Sequence, residues 1–125
     1  MPVLATIATI NVLFRGGATD RVGFLEPVTL RARIERELED AVVRDRAVAL
    51  VNELERIALR YDRSLVATTG AYVTESSSPN SRSDDLIAIL DSFDRERRTA
   101  LDEIVGIRQS MLHLLTVAQW DRVFR

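Results

Sequence analysis

The chain contains a single imidazole, His113, two residues after Met111. A nitrogen–sulfur pair of this kind raises the question of a transition-metal site, with Asp45 or Asp121 as an oxygen ligand. Residues two apart on a helix face different ways, so Met111 and His113 do not point at one ion if they lie on a helix. Cysteine is absent, which removes thiolate ligands, disulfides and a thiol nucleophile together. One histidine without a second, and without cysteine, makes a poor metal site. No metal ligand and no cofactor is assigned.

Asp91, Asp94, Asp102 and Glu103 bring four carboxylates into one short stretch, but Arg95, Arg97 and Arg98 are interleaved with them. General acid–base work needs carboxylates converging in a cleft. Alternating charge along a helix reads instead as a solvated face. The chain has no Ser/His/acid arrangement, no phosphate-binding loop and no dinucleotide glycine pattern. No catalytic residue is assigned, and a non-enzymatic role is expected. Arg97 stands on an otherwise apolar row, where a charge needs a partner or an exit to solvent. Level with Tyr61 and Asp62 in an antiparallel pairing, it reads as a register-setting ion pair or a snorkelling stem. A polar pocket for a ligand is the functional alternative.

The elements that position these residues follow from periodicity. Leu86, Leu90, Phe93, Ala100, Ile104, Ile107, Met111 and Leu114 recur at helical steps, predicting one long amphipathic helix over Asp84–Leu115. Ser83 is the expected N-cap, with Asp84 and Asp85 in the positive first turn. Such a seam needs a partner helix, and the segment Pro27–Tyr72 is the one long enough. Its buried row is Leu30, Ile34, Leu38, Ala41, Val48, Val51, Leu54, Ala58, Tyr61 and Leu65. Pro27 suits a first helical turn, and Gly70 predicts fraying or a bend between Thr68 and Val73. Ser76–Ser83, with Pro79 and Asn80 at its centre, is the connecting loop. Thr116 and Gln119 form a capping box that starts a short third helix over Val117–Phe124. Trp120 and Phe124 are then expected to close the open end of the core.

Val3–Phe14 is an apolar run shorter than the about 20 residues that span a bilayer, and no positive segment precedes it. Three readings stand: the tail of a signal-anchor that starts upstream, a short element packed on the helices, or an exposed interaction segment. Gly16–Glu26 reads as a linker. The expected organisation is therefore 1–26 as apolar segment and linker, and 27–125 as a helical domain.

With 125 residues, one small domain is expected. The net charge of −2 argues against a nucleic-acid partner, which would call for a basic excess.

Leu115-Thr116-Val117-Ala118-Gln119 resembles the LTxxQ motif of the Spy/CpxP-like periplasmic proteins, a group of stress chaperones and heavy-metal-resistance sensors. The layout of long helix, loop, long helix, LTxxQ and short helix is similar to theirs. The resemblance implies a bent helical hairpin, an export signal or membrane anchor, and a periplasmic location. This chain lacks a second LTxxQ and the several histidines of metal-sensing members, so no ligand set is carried over.

The fold expected is all-α: a long antiparallel hairpin with a short third helix, paired with a second copy as a four-helix bundle. Val42, Val43, Leu50, Ile57 and Leu59 widen the apolar arc of the first helix and favour that pairing. The function expected is a membrane-anchored envelope sensor, adaptor or chaperone-like domain that binds other proteins. A soluble cytoplasmic dimer with a structural or regulatory role is the alternative.

Overall fold

The structure, a computed structural model, describes residues 26–125, and these are helical throughout apart from short connections. The all-α class is as expected. The Val3–Phe14 run and most of the expected linker lie outside the described residues. Four helices follow in order: α1 (Pro27–Glu37), α2 (Ala41–Ser76), α3 (Ser83–Leu114) and α4 (Val117–Phe124).

The first long helix expected over Pro27–Tyr72 is two helices. The backbone is extended at Leu38 (ψ 118°) and at Asp40 (ψ 118°), and the Asp40 carboxylate accepts hydrogen bonds from the amides of Val42 and Val43 at 2.9 and 3.1 Å. A short side chain that satisfies orphan amides starts a new helix at Ala41 better than it continues an old one. Leu38, at the break, is buried. The break lets α1 turn and lie against α2, where Arg31 pairs with Glu55 at 3.1 Å and reaches Asn52.

Beyond the break, α2 runs unbroken through Gly70 to Ser76, so the expected fraying at Thr68–Val73 does not occur. The hydroxyls of Ser76 and Ser77 donate to the Val73 carbonyl and finish the helix. α3 begins at Ser83 with Arg82 at the cap position, so Ser83 is the first helical residue and not the cap. Asp84 and Asp85 still occupy the first turn, where the helix dipole favours them. The capping box of α4 is complete: Gln119 N–H donates to Thr116 Oγ1 at 3.1 Å, and Thr116 N–H to Gln119 Oε1 at 2.8 Å.

α2 and α3 pack against one another. The core they build is confined to one end. It takes Ala47–Ala58 of α2, Ala100–Met111 of α3, Leu30 and Ile34 of α1, Leu38 and Leu115 at the connections, and Trp120, Val123 and Phe124 of α4. Ala41, placed on the buried row from sequence, is exposed; Leu50 and Ile57, placed on a second-copy arc, are buried in this same core. The Trp120 and Phe124 rings lie 4.4 Å apart, and Arg33 donates to the Val123 carbonyl, tying α1 to α4.

Candidate functional site

Between Ala58 and Ala100 no residue is fully buried. This outer half of α2 and α3 is an arm whose seam is held by partial contacts, among them Tyr61 against Phe93 with ring centroids 5.5 Å apart. Each helix turns about 100° per residue. Asp62, Val66, Thr69 and Val73 therefore lie a quarter to a third of a turn round from the packed row Tyr61–Leu65–Thr68. On α3, Ile87, Asp94, Arg98 and Leu101 lie about as far round, in the same sense, from Phe93, with Leu90 on the near edge. In the antiparallel pairing expected from the sequence, a rotation of the same sense carries both rows to one side. Among the described residues, four aliphatic side chains are exposed on that side, Val66 at 60%, Val73 at 57%, Ile87 at 53% and Leu90 at 49%, beside the polar Asp62, Thr69, Asp94 and Arg98.

The same side is partly covered at the core end. Glu55, which receives Arg31 of α1, and Arg108, which lies over the Trp120 ring at 5.9 Å, are both rotated in that sense from the packed rows. Among the described residues, α1 and α4 thus form a second layer over part of the core end on this side, while Val105 (42%) and Leu112 (38%) of α3 stay exposed there.

On the opposite side a cleft of about 310 Å³ is lined by Arg60, Tyr61, Ser64, Ser92, Arg95, Glu96, Thr99 and Ala100. Ser64 and Ser92 are too small to close the gap beside Tyr61 and Phe93. The Ser64 Oγ is shielded from solvent and makes no hydrogen bond. Arg60 is held by Glu103 at 2.8 Å across the two helices. Sequence reading passed over this cleft, although two serines next to an aromatic seam are a legible sign of a gap.

The residues singled out from sequence are not brought together. Met111 is fully buried in the core, whereas His113 is exposed in the last turn of α3. Asp45 is exposed, and Asp121 pairs with Arg125, the C-cap of its own helix. Among the described residues no group of three or more His, Cys, Asp or Glu could hold a metal ion. Of the four carboxylates, Asp94 is taken by Arg97 and Arg98, Glu103 by Arg60, and Asp91 and Asp102 are exposed.

Arg97 does not bridge to α2. Its guanidinium donates to Asp94 one turn back, at 2.9 and 3.2 Å, with the side chain 43% exposed. The register-setting pair expected for it is made instead by Arg60 and Glu103. The Arg97 hydrogen bond lowers the pKa of Asp94; desolvation opposes this, and the charges of Arg98 and Arg97 add to the lowering. Asp62 Oδ1, level with Arg97 by distance from the turn, is shielded and accepts no hydrogen bond.

Among the described residues no helix is long and apolar enough to cross a membrane. Comparison of the chain with protein-family models, with curated proteins and with solved structures gave no match.

Proposed function

We propose that this chain is a non-enzymatic protein-binding module of the cell envelope, held at the membrane through its N-terminal apolar run and acting as a sensor, adaptor or chaperone-like domain. α2 and α3 serve as an antiparallel hairpin, and pairing with a second copy closes a four-helix bundle. The exposed aliphatic side chains on one side of the arm carry this reading. Four large aliphatic side chains about half exposed on one side of a small domain, set among Asp62, Asp94 and Arg98, support a protein-interaction surface. The opposite side, with Arg60, Arg95, Glu96 and Glu103, is charged and suits a polar contact. The apolar run at Val3–Phe14 and the LTxxQ-like capping box support the envelope assignment.

The test is fractionation of the full chain carrying a C-terminal tag, with protease added to spheroplasts and a photo-crosslinking residue at Val66. Membrane association, an externally cleavable tag and protein adducts at Val66 are the expected result. A protease-protected soluble protein would overturn the envelope assignment and leave the cytoplasmic dimer. A Val66 probe that captures no protein at all, neither another chain nor a second copy, would overturn the binding role.

A further inference from the structure

We infer that the cleft between α2 and α3 beside Tyr61 binds a small zwitterion with an apolar body, the chemistry of a free aliphatic α-amino acid. The site is independent of the protein-binding surface proposed above, which lies on the other side of the arm. Two observations carry it. The side chains leave a gap of about 310 Å³ open, and its lining includes a guanidinium and a carboxylate that no other charge takes up.

The gap follows from residue size. Ser64 of α2 and Ser92 of α3 stand beside the Tyr61–Phe93 contact, where larger side chains would close the seam. Its volume is at the lower end of the range for small-molecule pockets, which limits the ligand to a small one. Tyr61 and Ala100 give the cleft apolar walls, and the serines give it hydroxyls. Thr99 Oγ1 is already spent as a donor, to the Arg95 carbonyl at 3.0 Å. The Ser64 Oγ, by contrast, is shielded from solvent with no hydrogen-bond partner. A hydroxyl left unpaired under cover costs free energy, which a polar atom of a ligand offsets.

The charges around the cleft divide into one closed pair and two open groups. Arg60 and Glu103 hold each other at 2.8 Å. Arg95 and Glu96 pair neither with each other nor with any other described residue. Sequence position does not force this. Arg36 and Glu37 are also adjacent and pair at 3.0 Å. Asp91 precedes Arg95 by four residues, the spacing at which Asp94 takes Arg98 at 3.1 Å. A bare anion would meet Glu96 and a bare cation would meet Arg95, so the complementary ligand carries both charges. Its carboxylate lies on Arg95, whose planar guanidinium can bond both oxygens. Its ammonium lies on Glu96, and its aliphatic body fills the gap beside Tyr61. Both residues are exposed, so each charge contributes about threefold to fivefold in affinity, and binding is in the millimolar range.

The experiment titrates the full chain with L-leucine and follows the backbone amides by NMR. Isocaproate and isoamylamine, which are leucine without its ammonium and without its carboxylate, serve as single-charge probes. The expected result is a saturable shift at Ser64, Ser92, Arg95 and Glu96 with a millimolar midpoint for leucine, and at least threefold weaker binding of either probe. Arg95→Gln should remove the advantage of leucine over isoamylamine, and Glu96→Gln its advantage over isocaproate. Both substitutions are on the surface and leave the fold intact. Ser64→Leu should fill the cleft and abolish the shift while the thermal midpoint holds or rises. No saturable shift at tens of millimolar leucine would overturn the site. So would a shift that persists in folded Ser64→Leu. Equal binding of either single-charge probe would overturn recognition of a zwitterion.

Discussion

Ile104 and Ile87 lie on the same helix, α3, in the two halves of the molecule, and truncating each to alanine tests whether the core is confined to one end. Ile104 is 1% exposed within the core, whereas Ile87 is 53% exposed on the arm. Isoleucine to alanine removes three carbons, worth about 2.4 kcal/mol when fully buried at about 0.8 kcal/mol each. At Ile104 the residual cavity adds to this, giving a loss of about 3–4 kcal/mol. At Ile87 about half the transfer term applies and no closed cavity forms, so the loss is about 1 kcal/mol. The better helix propensity of alanine offsets both by the same few tenths. Urea unfolding followed by far-ultraviolet circular dichroism, at a concentration low enough to keep the chain monomeric, measures both. A difference of at least ~2 kcal/mol is expected. Equal losses would refute the division into a packed end and an open arm.

Three other outcomes follow from local geometry. Thr116→Ala removes the acceptor of the Gln119 amide and should cost about 1 kcal/mol, with the fluorescence of Trp120, the one tryptophan, changing as α4 loosens. Gly70→Ala should stabilise the chain by about 0.5–1 kcal/mol in a thermal melt, since Gly70 lies inside α2 and a Cβ there meets nothing within 4 Å. Asp94 should titrate below its ordinary value in a carboxyl-carbon NMR titration, and Arg97→Met should raise its midpoint. Because its folded pKa is lowered, its stabilising contribution is complete above the ordinary aspartate pKa. That contribution is lost as pH falls through the lowered one.

Local chemistry was readable from the chain wherever one or two adjacent residues decide it. The Thr116–Gln119 box, the stop at Ser76–Ser83 and the row Ala100–Ile104–Ile107–Met111 depend on turn residues and period. The break at Leu38–Asp40 was readable in principle, because aspartate before Ala-Val-Val is a cap. The apolar periodicity ran across it from Ile34 to Val51 and concealed it. Gly70 misled in the other direction, since its cost of about 1 kcal/mol is small beside the continuity of a 36-residue helix.

Periodicity determined that this protein is helical, and the Thr116–Gln119 cap determined where the last short helix starts. It did not determine which apolar arcs are covered within one copy. Val51 and Val73 are the same residue type on the same side of α2, yet Val51 is sealed in the core and Val73 is more than half exposed. What separates them is α1, which turns back at Asp40, and α4, tied to it by Arg33 and the Val123 carbonyl, neither long enough to reach the arm. Burial is a property of what lies opposite a side chain, and only the tertiary structure says where that second layer ends.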